Sequence, residues 1–290
     1  MQKLMLARRI AGGLALLIAA LLLTACATTG DAIVPAAHDN LDAVTWQQTS
    51  GEYAAVTLGI YAGATAALET IGDDTAPSAR GRAIVLDVDE TVLDNVPYQA
   101  QLVLDDDSYG SETWDRWIEQ RAARATPGAV AFIQAAQLLG FHVVFITNRS
   151  CRPRDGASDP CPQHEDTLVN LQKVGIDTDS TTLMLRGERP PERCRQFLSD
   201  DERESGTWSS VKTSRRECIA IDDDIVMLFG DQLGDFPLAS HEDTAGAGRN
   251  VATQQGAHWG RHWFMLPNPT YGEWNPGSSE EKRSLMRGTD

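Results

Sequence analysis

The sequence predicts an α/β protein: a mostly parallel sheet with helices on both faces. Three observations carry this. Residues 83–86, 143–146 and 226–229 are short, continuous apolar runs, which read as strands buried on both faces because they do not alternate. Segments of helical spacing separate them, so strand and helix alternate along the chain. Each run ends in a polar cluster, and in open parallel sheets ligands gather beyond the carboxyl ends of the strands.

The other elements follow in order. Trp46, Tyr53, Val56, Ile60, Tyr61, Ala64 and Leu68 recur at helical spacing before a turn-rich break at residues 72–81. An acidic turn at Asp105, Asp106 and Asp107 precedes a helix near residues 114–124. Pro127 opens the next helix at its first turn, where proline is tolerated, and Gly140 ends it. Residues 163–174 form a helix ended by Gly175, and 182–185 a short strand. Residues 186–218 are charged helix plus loop, 246–257 a further helix and 263–266 a last strand. From about residue 277 the chain reads as a polar, frayed tail.

The start reads as a processing segment. Lys3, Arg8 and Arg9 precede an apolar run over residues 10–23, shorter than the ~20 residues that span a bilayer. Leu23-Thr24-Ala25-Cys26 then matches a bacterial lipoprotein signal, in which Cys26 is lipidated and becomes the first residue. Two or more acyl chains would anchor the protein firmly, and Ala27 resembles an outer-membrane sorting address, with the body facing the periplasm or the exterior. An ordinary secretory signal with an incidental cysteine is the alternative. The expected plan is therefore a signal at 1–25, a lipidated tether at 26–40, a body at 41–276 and a flexible tail at 277–290. Helical additions are expected at 41–72 and 95–126. No second long apolar run is expected, so the body reads as soluble.

Lys plus Arg total 25 against 41 Asp plus Glu, a net charge of −16. That excludes a wide basic surface and disfavours a nucleic-acid backbone reader, while leaving room for a small anionic substrate in a local pocket. A homodimer is compatible with the sequence, which leaves the oligomeric state open. Outside the cytoplasm, Cys151, Cys161, Cys194 and Cys218 suggest disulfides. Cys151 and Cys161 bracket a loop rich in Pro, Gly and Asp, and Cys194–Cys218 follows by elimination. A four-thiolate zinc site competes, without the C-x2-C spacing such sites favour.

Three polar clusters carry the chemistry. Asp87 and Asp89 lie two apart after the first strand, with Val88 turned away between them. Carboxylates that close repel unless a cation or a proton separates them, and carboxylate, carbonyl and water ligands suit Mg²⁺. Thr147-Asn148-Arg149 leaves the second strand with a hydroxyl and an amide for phosphoryl oxygens. Gly230-Asp231 and Asp235 leave a third and complete the metal site. Lys212, with Arg215 and Arg216 nearby, supplies the cation that such a site needs. Together these make a phosphoryl-transfer site with a nucleophilic and a proton-transferring aspartate.

The run Asp87-Val88-Asp89-Glu90-Thr91-Val92 resembles the D-x-D-x-T-V signature of haloacid-dehalogenase-like phosphatases. Its setting through Leu93-Asp94-Asn95 is similar to the class C acid phosphatases, and more closely to the bacterial 5'-nucleotidase, lipoprotein e(P4) family. The resemblance covers about residues 40–276. It takes in Trp46-Gln47-Gln48-Thr49-Ser50, Pro97-Tyr98-Gln99, Trp114 with Trp117, Ile146-Thr147-Asn148-Arg149, Lys212 with Arg215-Arg216, Gly230-Asp231 and Pro267-Asn268-Pro269. It implies a Rossmann-like core with a small helical layer. It implies Asp87 as nucleophile and Asp89 as general acid and base, with the Asp89 carbonyl also on Mg²⁺. Thr147 and Lys212, with the Asn148 amide, would hold the phosphoryl group; Asp231 would ligate the metal with Asp87, and Asp235 would sit in or behind that shell. The chain departs from the family in Gln232, where Asn is usual, and in the Cys151–Cys161 loop.

The implied substrates are phosphomonoesters, namely nucleoside 5'-monophosphates and nicotinamide mononucleotide, at acidic pH. Tyr61, Tyr98, Trp114 and Tyr271 are candidates for contacting the substrate, Trp114 and the tyrosines by stacking. Core packing is the alternative for these rings. A broad acid phosphatase, a phosphotransferase and a non-catalytic lipid-anchored binding protein are the rival functions.

Overall fold

The computed structural model describes residues 38–73, 80–156, 158–238 and 244–288. The signal, Cys26 and most of the tether lie outside these residues. Five parallel strands form the central sheet: β1 (Gly81–Leu86), β2 (His142–Ser150), β3 (Thr181–Arg186), β4 (Asp223–Gly230) and β5 (Trp263–Met265). Their order is β3-β2-β1-β4-β5. The chain builds outward from β1 on one side, then returns to build outward on the other. The switch point falls between β1 and β4, where ligands bind in such sheets.

Burial on both faces explains the continuous apolar runs. Along β1, Ile84 and Leu86 enter one core with Tyr61, Phe132 and Phe229, while Ala83 and Val85 enter the opposite core with Val144, Trp208 and Trp263. The first core is covered by α2 (Gly51–Asp73), α5 (Ala129–Leu138) and α6 (Pro162–Lys173), which contribute Leu68, Ile133 and Leu171. The second is covered by the 3-10 turn Glu192–Phe197 and α8 (Thr213–Ile219), through Cys194, Cys218 and Ile219. The expected fold class is thus the observed one.

The helical layer comprises α1 (Leu41–Thr49) and α2, followed by α3 (Val96–Asp105) and α4 (Ser111–Gln120) in the insert after β1. An antiparallel ladder pairs Leu93 with Ala125 and Asp94 with Arg124, closing the root of that insert. With two residues per strand, it is too short to show a periodicity in sequence.

Between α6 and α8 the chain also forms α7 (Asp200–Ser205), and beyond β4 it forms α9 (Thr244–Gln254). Two expectations need correcting. Helix α2 is a second long apolar run: Gly51–Ile71 has a mean hydropathy of 1.3, enough by length and composition to cross a membrane. Tyr53, Thr57, Tyr61, Ala64 and Leu68 pack one of its faces into the body, while Val56 and Leu58 are exposed on the other. The polar tail contains α10 (Ser279–Leu285). Ser278 and Glu281 close a reciprocal capping box at its start, and Lys282 lies 3.6 Å from Asp39. Both expected disulfides, Cys151–Cys161 and Cys194–Cys218, are formed, which removes the thiolates the zinc reading needed.

Candidate active site

Asp87 continues the ladder one residue past β1, its N–H donating to the Phe229 carbonyl at 3.0 Å. The chain then turns back on itself. The N–H groups of Val92 and Leu93 both reach the Val88 carbonyl, at 2.9 and 2.8 Å. Val88 is fully buried in the core, so its neighbours Asp87 and Asp89 both face away from it. Glu90 takes a left-handed conformation with φ 56°, uncommon for a residue with a side chain. Its buried carboxylate is held by the Asn95 N–H at 3.0 Å and by the Tyr271 hydroxyl, which over-determines the turn.

Lys212 stands at the start of α8, 4% exposed, and its ammonium donates to Asp87 Oδ1 and lies 2.5 Å from Asp235 Oδ1. Asp235 is further tied by the Gln232 N–H, which reaches its Oδ2 at 3.0 Å. Gly230 is required here, because a Cβ at that position would fall 2.3 Å from the Asp235 Cβ. Asp231 follows β4 and accepts from the Asn268 amide at 2.8 Å. Asn268 lies in the Pro267-Asn268-Pro269 run after β5. It orients Asp231, a role its place in the sequence did not disclose.

Asp87, Asp231 and Asp235 are all buried, and among the described residues Lys212 is the ammonium that lies with them. Burial pushes the Asp87 carboxyl up to about 7, against the pull of Lys212; Asp235 and Asp89 push it further the same way. Burial likewise raises Asp231 well above the carboxylate range, with Asp235 and Asp87 adding to it. The site therefore carries more buried carboxylate than its lysine neutralises. Among the described residues no backbone N–H donates to the Asp89 carbonyl. A buried all-oxygen set whose carboxyls burial biases against ionisation fits a hard divalent cation. Asp87, Asp231 and the Asp89 carbonyl could hold it. Asp235 faces Lys212 and the Gln232 backbone.

The second motif is strapped from α8. Arg215, fully buried, donates to the Thr147 carbonyl at 2.7 Å and to Asn148 Oδ1 at 2.8 Å, and Arg216 donates to the Asp235 carbonyl at 3.0 Å. One short helix thus carries Lys212 and fixes the loops after β2 and β4. Thr147 is buried, and its hydroxyl lies 3.4 Å from Asp89 Oδ2. Asn148 is exposed, its side-chain oxygen engaged by Arg215. Arg149 turns inward and forks onto Asp89. Gln232 points its side-chain oxygen at the Glu273 N–H at 3.3 Å, toward the C-terminal segment.

The aromatic candidates separate. Tyr61 is 2% exposed, stacked on Phe229 at 5.7 Å, and donates to the Thr91 carbonyl at 2.8 Å. It braces the motif loop from within the core and offers no face to a substrate. Tyr98 is buried too, its hydroxyl 2.9 Å from Thr113 Oγ1 and its ring edge-on to Trp114. Tyr271 spends its hydroxyl on Glu90 and pins the C-terminal segment to the motif. Trp114 is half-buried, its ring 5.9 Å from the Arg149 guanidinium, and remains a candidate. Exposed Tyr109, absent from the sequence-based candidates, sets its ring 6.4 Å from Trp114.

A parallel sheet that gathers paired aspartates, a lysine and a buried threonine at its switch point defines a phosphoryl-transfer fold of the haloacid-dehalogenase type. The chain belongs to the HAD superfamily, subfamily IIIB (acid phosphatase), whose family model matches residues 23–274. It is similar to the class C acid phosphatase of Bacillus anthracis, with 28% identity and a TM-score of 0.68 over 88% of this chain and 99% of that one. A structure of that enzyme with tungstate bound gives 27% and 0.69. Among curated relatives, acid phosphatase 1 of Solanum lycopersicum is 30% identical over 208 residues, and the stem 28 kDa glycoprotein of Glycine max 26% over 190. The matched region covers 69% of this chain but only 61% of the tomato protein, and 64% against 58% for the soybean one.

Proposed function

We propose that the protein is a metal-dependent phosphomonoesterase that works through an aspartyl-phosphate. The observation that carries this is the buried Asp87 carboxylate at the end of the central strand, paired with Lys212 and flanked by Asp231 and Asp235. Asp87 attacks the phosphorus while Asp89 gives its proton to the leaving oxygen. The ester P–O bond breaks, the alcohol departs and the phosphoryl group stays on Asp87. Asp89, now a carboxylate, takes a proton from water as that water attacks the phosphorus, and phosphate leaves with Asp87 restored. Lys212 favours the ionised form of Asp87 and lies where phosphoryl oxygens collect. Thr147 and the Asn148 backbone amide are proposed to hold those oxygens. Bound by Asp87, Asp231 and the Asp89 carbonyl, Mg²⁺ would offset the charge of the transferring oxygens.

Nucleoside 5'-monophosphates and nicotinamide mononucleotide are the proposed substrates, with Trp114 the surface for the base. A broad acid phosphatase is the second reading. It gains from the burial of Tyr61 and Tyr98 and the commitment of their hydroxyls to protein partners, which leaves Trp114 and the ring of Tyr271 of the four aromatic candidates. The relative with tungstate bound lends support to an oxyanion site. We also infer attachment to the outer membrane through a lipidated Cys26, which Cys26→Ser should release into the soluble fraction.

The test is phosphate release from a panel of phosphomonoesters by the unlipidated body, with Mg²⁺ or EDTA, at pH ~5 and ~7.5. Metal-dependent release favouring nucleotides supports the first reading. Equal release from sugar phosphates and nucleotides supports the second. No release from folded, metal-loaded protein rejects both.

A further inference from the structure

A proton donor in this reaction must meet an oxygen whose place is set by Asp87 and the phosphorus, so the Asp89 carboxyl needs a fixed orientation. Three side chains fix it. Arg149 brings Nε to 3.0 Å and Nη2 to 2.8 Å of Asp89 Oδ1, with Nε also 3.2 Å from Oδ2. The Asn95 amide donates to the same Oδ1 at 2.9 Å. The Thr147 hydroxyl stands 3.4 Å from Oδ2. Oδ1 is therefore saturated by close donors, while Oδ2 has only the longer contacts.

The anchors are themselves anchored. The Arg149 side chain is 1% exposed, and its third nitrogen donates to Thr167 Oγ1 on α6 at 3.1 Å, so the guanidinium cannot swing. Asn95 is fully buried, and its side-chain oxygen accepts from the Trp117 indole N–H on α4 at 2.8 Å. That indole settles which way the Asn95 amide faces, because its oxygen is the only end that can accept.

On the reading of the site given above, we propose that Arg149 is the positioning residue of the acid/base. With Asn95 it anchors Asp89 Oδ1 and leaves Oδ2, the more loosely held oxygen, to carry the moving proton, and Trp117 ties that anchorage to the helical layer. Arginine is the residue for this task, because a planar fork fixes the direction of a carboxylate where a lysine point charge fixes only its distance.

A merely structural ion pair would be equally buried, so the test must read the proton transfer. Departure of p-nitrophenolate needs little protonation, whereas departure of an alkoxide needs a full proton. The measurement is kcat/KM, which covers every step through loss of the leaving group, for p-nitrophenyl phosphate and for an alkyl phosphate such as glycerol phosphate. The protein is the metal-loaded soluble body, comprising residues 27–290. Arg149→Lys and Arg149→Met should lose about 10²-fold on the alkyl ester and about tenfold or less on the aryl ester. Trp117→Phe removes the indole N–H along with part of the ring, leaves Arg149 and Asp89 in place, and should move the ratio the same way by about threefold. It decides the matter if the Arg149 variants fail to fold. Equal losses on both esters, or none in folded variants, would overturn the positioning role. Wild-type protein that hydrolyses neither ester would overturn the underlying function itself.

Discussion

The loops after β1, β2 and β4 and the aromatic side chains around them meet at one place but are organised by different rules. In and against the loops, charged groups face each other, Lys212 between Asp87 and Asp235 and Arg149 on Asp89, and Arg215 reaches from α8 to the Thr147 carbonyl. In the aromatic layer, each hydroxyl points into the protein: Tyr61 at Thr91, Tyr98 at Thr113, Tyr271 at Glu90. A carboxylate at a strand end announces itself, since burying it unpaired is so costly that its partners must be close by. A tyrosine announces nothing, because an apolar ring with a polar tip serves a core as readily as a cleft.

The largest effect should come from breaking the charged side of this contrast. Asp87→Asn removes the nucleophile and should lower phosphate release by at least about a thousandfold. Folding should survive, because the change deletes a carboxyl whose ionised form the fold disfavours. Circular dichroism and thermal melting check the fold, and a variant with unchanged turnover contradicts the mechanism.

Removing the metal should expose the same imbalance as a pH dependence. The Asp87 carboxyl sits at about 7 in the folded protein against an ordinary 3.8, so between those values the metal-free folded state binds more protons than the unfolded one. Its contribution to stability is whole below 3.8 and is lost as the pH rises through about 7; Asp231 acts with the same sign. Melting temperatures in EDTA should therefore fall across this window, and saturating Mg²⁺ should flatten the fall. A metal-free protein that gains stability over the same range would show the carboxylates to be compensated by other means.

The aromatic side predicts smaller effects that fall on different observables. Trp114→Ala should raise KM for a nucleoside monophosphate by roughly tenfold, within the range of base stacking, and leave p-nitrophenyl phosphate turnover little changed. Tyr61→Phe should do the reverse. It leaves the buried Thr91 carbonyl without its donor, costing about 1–2 kcal/mol of stability with KM unaltered. A KM effect at Tyr61 would return that residue to the substrate.

The same contrast explains what the sequence disclosed. The strands were legible because burial on both faces leaves uninterrupted apolar runs, and the site was legible because its acids follow those runs directly. Arg149 stood in plain view within Thr147-Asn148-Arg149, yet its fork onto Asp89 is a non-local contact that no spacing reveals. Asn268, Arg215 and the Trp117–Asn95 bond were hidden for the same reason. The helical spacing of α2 was legible, but only the structure shows that Tyr53, Thr57, Tyr61, Ala64 and Leu68 are the face it buries. The tail helix rests on a four-residue capping box, too short to outweigh a polar composition.

The smallest expected effect tests whether the charged rule holds away from the site. His164 on α6 bonds Glu188, whose other oxygen accepts the Leu185 N–H at 2.8 Å at the end of β3. The bond to Glu188 raises the imidazole above its ordinary 6.5, against partial burial. The folded state therefore holds this proton more tightly than the unfolded one. The contribution is complete below 6.5 and is lost as the pH climbs through the higher folded value. His164→Gln should thus be destabilised relative to wild type at pH ~6 and nearly equal to it at pH ~9, read from paired melts. Because the pair is a third exposed on the histidine side, water screens it and the difference should be small. A difference that grows with pH would mean that the imidazole is held neutral and that His164 and Glu188 do not pair as charges.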